Sequence, residues 1–310
     1  MRILVVGAGA IGGYFGGRLL QAGRDVTFLV RARRATELAR TGLAIRSHLG
    51  DADLRAPVLS EEALAEPFDL VLLGCKAYDL DAAMISFARA VGPGTAILPV
   101  LNGMRHMDVL AERFGDGRVL GGQCVISAAL DPEGRILHLN EAHTLTFGEP
   151  DGAQTPRIAA ITAALSGAGF DAERSETILQ AMWEKWVFIA TLAGVTCLMR
   201  GAIGDVVAAG AGDLATALFD ECAAIAAAQG FAPRPAFRKR MRPAFAAPGS
   251  PMTASMLRDV ERGAPVEADH ILGDLLGRAA SPEDQPLLRI ALAHLKSYEA
   301  RRTRENAAGG

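Results

Sequence analysis

At 310 residues, half of them apolar and with a near-balanced formal charge of -3, the chain is long enough for two domains with ample buried core. The charge balance gives no electrostatic basis for binding nucleic acid or an anionic membrane surface. Four scattered cysteines and six scattered histidines, without zinc-type spacing or paired histidines on a helix face, argue against a metal site and for reduced thiols in a cytoplasmic protein.

The first predicted strand, Arg2-Ile-Leu-Val-Val, runs directly into Gly7-Ala8-Gly9-Ala10-Ile11-Gly12, and an amphipathic segment follows to Gln21. With a strand beginning at residue 2, no signal peptide is expected ahead of the fold. Glycines spaced G-x-G-x-x-G between a strand and a helix form a dinucleotide cradle. Gly7 permits the tight turn, Gly9 lets backbone approach a pyrophosphate, and Gly12 lets helix and strand pack closely. The helix N-terminus adds free N–H groups and a positive dipole end. A plain tight turn is the competing reading.

Asp25 to Val30 reads as a second strand, completing a β-α-β unit, and Arg31-Ala-Arg33-Arg34 follows. An NAD-binding fold places an acidic residue near here, about 20 residues past the glycines. A guanidinium instead suits a 2′-phosphate, so Arg31 predicts NADPH over NADH, against the alternative of a solvated basic helix start. Gly42 to Ser47 and Leu54 to Leu59 are short β-rich pieces, and Phe68 to Leu73 is a strand of the kind buried on both faces. Lys76, just beyond it, is either a cofactor or substrate contact at the sheet's carboxyl edge or a surface lysine at a loop start.

A helix is expected over Asp79 to Val91 and a further buried strand over Thr95 to Leu101, ending at Asn102-Gly103-Met104. The Asn102 amide there is either a contact to nicotinamide and substrate or part of an ordinary turn dipeptide. Val119 to Ala129, Arg135 to Leu139 and Thr144 to Phe147 read as antiparallel strands closing the first domain's sheet, and Pro156 to Ser166 as a helix. The loop Gly167 to Glu176 is the expected boundary. The fold class is thus α/β, with a doubly wound Rossmann-type domain over 1–170 and an all-α domain over 171–310. The longest apolar run, Trp186 to Met199, is shorter than the roughly 18 residues of a membrane span. The basic cluster Phe237-Arg-Lys-Arg-Met-Arg242 reads as a solvated helix face, Pro243 to Pro251 as a loop, and Arg301 to Gly310 as a frayed tail.

Carbonyl reduction requires a group that stabilises the developing alkoxide. The Tyr-x-x-x-Lys pair of short-chain reductases is missing at Tyr14, Tyr78 and Tyr298, and zinc is unsupported, which leaves a lysine or arginine in the helical domain. Lys185 opens a very apolar helix, Met182-Trp-Glu-Lys-Trp-Val-Phe-Ile-Ala-Thr-Leu-Ala193. Its ammonium either points into a cavity, where it could bond a carbonyl oxygen and donate a proton, or snorkels to water beside Glu184.

These residues, in this order, resemble the ketopantoate reductase family (2-dehydropantoate 2-reductases) over essentially the whole length. The likeness runs through Gly7-x-Gly9-x-x-Gly12, Arg31, Lys76 in Cys-Lys-Ala, Asn102 in Asn-Gly-Met and Lys185 in Trp-Glu-Lys. It ends with Ser255-Met-Leu-Arg-Asp259 and Glu267 twelve residues after that serine. The resemblance implies an NADPH-dependent oxidoreductase of pantothenate biosynthesis, cytoplasmic, acting on a 2-keto acid. It also implies a helical domain like the C-terminal one of 6-phosphogluconate dehydrogenase; a homodimer is one open assembly, since the sequence does not fix the oligomeric state. Lys185 is by this likeness the general acid, Glu267 its charge partner, Ser255 a contact to the substrate carboxylate, and Asn102 a bridge between cofactor and substrate.

The chain departs from the family where asparagines should stand one and two turns after the lysine. It has Ile189 and Ala193 there, which predicts a less polar substrate than ketopantoate, because a pocket built to bond a hydroxyl is what rejects analogues lacking it. Two other readings stay open: a two-domain hydroxyacid dehydrogenase working in the oxidative direction, and a nicotinamide-binding sensor without turnover.

Overall fold

A computed structural model describes residues 1–308. They form two compact units, one of Met1–Leu101 and His106–Leu179, the other joining Asn102–Arg105 to the chain from Gln180 onward. The expected boundary at residue 170 therefore moves to Leu179. The reason is local: Asp171–Arg174, within the expected linker, is a short strand belonging to the first unit.

The first unit begins with β1 (Arg2–Val6), α1 (Ala10–Gln21), β2 (Asp25–Leu29), α2 (Ala32–Thr41), β3 (Leu43–Arg46), β4 (Ala52–Leu54) and β5 (Val58–Leu59). It continues with β6 (Leu70–Leu73), α3 (Leu80–Phe87), β7 (Ala96–Pro99), α4 (Arg105–Phe114), β8 (Gly121–Leu130), β9 (Ile136–Gly148), α5 (Pro156–Leu165) and β10 (Asp171–Arg174). One sheet has the order β5-β2-β1-β6-β7, all parallel. Alternation along β1 sends Ile3 and Val5 to one face, with Phe15 and Phe28. Leu4 and Val6 go to the other, with Leu80, Met84 and Phe87. This is the two-sided burial expected of a parallel sheet.

The β8–β9 hairpin does not close that sheet. It builds a second one, of order β10-β9-β3-β4 with β8 on β9, because β9 runs 13 residues and has partners on both edges. Helix α1 packs against both sheets, and glycine is what allows it. A Cβ at Gly16 would lie 2.8 Å from the Phe28 ring and from Val5 of the first sheet. One at Gly13 would lie 2.6 Å from Ile136, and one at Gly17 2.8 Å from Ile45, both of the second.

Under α1, Tyr14 approaches His143 Nδ1 at 3.0 Å. His143 also stacks on His138 (5.8 Å between centroids) and lies 3.9 Å from Asp171. Burial, joined by the charges of His138, Arg18 and His48, outweighs Asp171 and holds His143 below the usual histidine range. On acidification the unfolded chain takes up this proton first. The associated stability is complete above about pH 6.5 and is lost as pH falls from there through the lowered folded value. A thermal melting series is expected to show the midpoint falling below about pH 6.5, less steeply in His143→Gln. Parallel curves for the two proteins would contradict this.

Every regular element of the second unit is helical: α6 (Ile178–Met199), α7 (Ile203–Ala208), α8 (Gly212–Ala228), α9 (Pro235–Ala244), α10 (Ser255–Glu261), a π-helical turn Asp269–Gly273, α11 (Asp274–Gly277) and α12 (Pro286–Ala308). At 22 residues α6 is longer than its apolar run. By length and composition it could cross a membrane, but 72% of its apolar window is buried inside the fold, which makes it a core helix. It packs closely on α8 at Gly194, where a Cβ would meet Leu218 at 2.7 Å. Thr191 and Thr196 bond back to the Val187 and Leu192 carbonyls, so their buried hydroxyls are satisfied. The Glu221 carboxylate caps α12 through the Leu287 and Leu288 amides. Burial pushes the Cys197 and Cys222 thiols up to about 12, leaving them inert.

Two expectations about the surface change. The basic cluster is only partly a solvated face, since Arg238 and Arg242 both pair with Asp220 of α8. The expected tail is helical through Ala308, while Gly309 and Gly310 lie outside the described residues. Helix α9 also runs one residue past Pro243 into the expected loop.

Candidate active site

In the first unit, the turn after β1 has the geometry that its glycines require. Gly7 adopts φ +90°, where a side chain would be strained. Around Gly9 a Cβ would meet nothing within 4 Å, so this backbone is open to a ligand. At Gly12 a Cβ would lie 2.3 Å from the Gly7 carbonyl oxygen. Gly13 N–H bonds the Gly9 carbonyl at 2.8 Å, so the amides of Ala10, Ile11 and Gly12 have no partner within the helix. An open glycine beside amides at a helix start fits a pyrophosphate. Ala8 is buried, and its carbonyl accepts a hydrogen bond from Arg34 Nε at 3.1 Å.

The three arginines after β2 have separate tasks. Arg34 ties the cradle to the Gly134 carbonyl as well as to Ala8. Arg33 pairs with Glu37 on its own helix. Arg31, expected to await a phosphate, instead makes an ion pair with Asp79 of the short 3₁₀ turn that follows Lys76. Lys76 is half-buried just beyond β6. Arg34 and Asp79 were both missed from the sequence. Asp79 stands three residues after Lys76, but nothing local marks it as a partner of Arg31, 48 residues earlier.

In the second unit, Lys185 lies in the first half of α6, between the buried Trp183 and Trp186. Its neighbour Glu184 does not serve it. Arg234 grips that carboxylate through Nε at 2.9 Å, Nη2 at 2.5 Å and its backbone N–H at 2.8 Å. Burial alone would raise the Glu184 carboxyl, but these bonds outweigh it and hold it below the usual carboxylate range. Among the described residues, Lys185 Nζ has no carboxylate within 4.0 Å. The ion pair with Glu267 implied by the resemblance is therefore not formed in this structure.

Glu267 is buried at the entrance to the π-helical turn, its carbonyl accepting from Ile271 N–H at 2.9 Å. Its nearby charge acts on His270, which burial nevertheless pulls below the usual histidine range. His270, a further residue missed from the sequence, bonds the Asn102 backbone and packs on Gly103, where a Cβ would sit 3.1 Å from its ring. Gly103 has φ +79°, so Asn102-Gly103 is a glycine-requiring turn that also places the Asn102 backbone against the helical turn that follows Glu267. Ser255 is exposed at the first position of α10, away from this cluster in sequence and without a side-chain hydrogen bond among the described residues. Ile189 is half-buried and Ala193 is buried, one and two turns beyond Lys185.

Comparison with known proteins gives a consistent result. The family model for "Ketopantoate reductase PanE/ApbA" matches residues 3–152, and its C-terminal counterpart matches residues 177–299. YkpB of Bacillus subtilis, an uncharacterised oxidoreductase, is 38% identical over 302 residues, covering 97% of this chain and 99% of that protein. The solved 2-dehydropantoate 2-reductase of Geobacter metallireducens superposes with a TM-score of 0.85 at 30% identity, covering 96% of this chain and 99% of its own. D-mandelate dehydrogenase with NADH and anilino(oxo)acetate gives a TM-score of 0.85 at 19% identity over 98% and 99% of the two chains, a likeness of fold alone.

Proposed function

The chain belongs to the ketopantoate reductase family of oxidoreductases, and we propose on that basis that it reduces a 2-keto acid, less polar than ketopantoate, with NADPH in the cytoplasm. The observation that carries this reading is the setting of Lys185: a half-buried lysine on a buried helix whose adjacent carboxylate is committed to Arg234. Such a cation is available to a substrate oxygen.

Gly7 to Gly12 would hold the pyrophosphate, Arg31 and Lys76 the phosphate end, and Asn102 the carboxamide. The bound nicotinamide supplies the hydride. Lys185 donates a hydrogen bond to the keto oxygen and passes it a proton as the alkoxide develops. Ser255 bonds the substrate carboxylate, and Glu267 is, by the family likeness, the charge partner of the lysine in the loaded site. Ile189 and Ala193 present no group to bond a substrate hydroxyl, so they favour an apolar side chain.

Following NADPH absorbance over ketopantoate and a set of branched and aromatic 2-keto acids tests this. An apolar 2-keto acid is expected to give the higher kcat/KM. Efficient ketopantoate turnover at micromolar KM would refute the substrate class, and NADPH binding without oxidation across the set would favour the sensor reading.

A further inference from the structure

The Arg31–Asp79 pair occupies a telling place in the sheet. β2 and β6 flank β1 on either side. A bridge from Arg31, just after β2, to Asp79, just after β6, therefore crosses the end of β1, where Gly7 to Gly12 turns. Of the neighbouring arginines, Arg34 is held to the Ala8 and Gly134 carbonyls and Arg33 to Glu37. Arg31 is the one that reaches across. The bridge is also exchangeable, since the Arg31 side chain is 72% exposed and that of Asp79 33%.

We propose that Asp79 sets the discrimination between nicotinamide cofactors with and without a 2′-phosphate, by competing with that phosphate for Arg31. The inference rests on the nicotinamide reading above and adds a residue to it. A carboxylate already on the guanidinium takes donors that the phosphate needs and repels its charge. A ribose with a free 2′-hydroxyl carries no such charge and offers a donor to the same carboxylate. Arginine after β2 thus favours NADPH, and Asp79 narrows that preference. The acidic residue expected on the second strand of an NAD-binding fold is supplied here from the loop after another strand.

Isothermal titration calorimetry of the full chain with NADPH and with NADH tests this without relying on turnover. The readout is the ratio of the two dissociation constants, NADH over NADPH, in wild type, Asp79→Asn, Asp79→Ala and Arg31→Gln, each checked for an unchanged melting profile. Asp79→Asn and Asp79→Ala are expected to raise the ratio at least threefold, and Arg31→Gln to lower it. A smaller rise, or a fall, in both Asp79 variants would overturn the inference while leaving cofactor binding intact. Failure of the wild-type chain to bind either cofactor would overturn the nicotinamide reading and this inference with it.

Discussion

Replacing Lys185 with alanine is expected to lower the rate of keto-acid reduction by about 10²- to 10⁴-fold, the range of a positioned general acid. The loss should fall mainly on kcat, because the alkoxide charge exists only as the transition state is approached. NADPH affinity should change little, since the proposed cradle and phosphate contacts lie on other elements. Lys185→Met separates chemistry from packing: it keeps an unbranched apolar stem on α6 and removes the charge, and it should be as slow as alanine. The half-exposed position predicts a folded protein in both cases. Single-turnover measurements with saturating NADPH check this, and a loss under about tenfold would remove Lys185 from the role of acid.

Trp186→Ala should be the most damaging of the core changes near the site. Trp186 is fully buried, and its indole N–H donates to the Ile271 carbonyl at 2.8 Å, inside the π-helical turn that begins after Glu267. Its ring lies 4.9 Å from Trp183, and the Arg278 guanidinium sits 5.5 Å from its centroid. Truncation leaves a large cavity, at a cost of about 3–5 kcal/mol, and leaves the Ile271 carbonyl without this donor. Trp186→Phe keeps most of the volume and loses the donor, so it should cost less, with about 0.5–1.5 kcal/mol for the lost hydrogen bond. Denaturant unfolding of the three proteins orders them. Equal midpoints for Trp186→Ala and wild type would show that the core can close over the gap.

The legible parts of this protein were the local ones. The strand, glycine turn and first helix could be read because Gly7, Gly9 and Gly12 each answer a steric demand within a few residues. The helical character of the second unit followed from the scarcity of strand signal after Ile178 and from helical patterns such as the alanine-rich stretch Asp213 to Gln229. What escaped were pairings between distant segments. β10 has the sequence Asp-Ala-Glu-Arg, mostly exposed, with no apolar alternation to announce a strand. β9 joins β3, β8 and β10 into a second sheet, a fact of partner choice that no single segment records. At the site, the candidate cations were visible but their partners were not. Glu184 turned out to belong to Arg234, 50 residues on, and Arg31 to Asp79. The lysine and the arginine therefore exchanged expectations: the one given a partner by resemblance lacks it here, and the one expected to await a phosphate is engaged.

Helix α1 rests against two sheets at once, with glycines at positions 13, 16 and 17 where other residues would collide. A segment clamped from both sides has almost no alternative arrangement to sample. The first turn of that helix, with its outward amides, is consequently set in place by the folding of the two cores. Its ordering entropy is spent when the chain folds, and a pyrophosphate arriving there meets donors that need not reorganise.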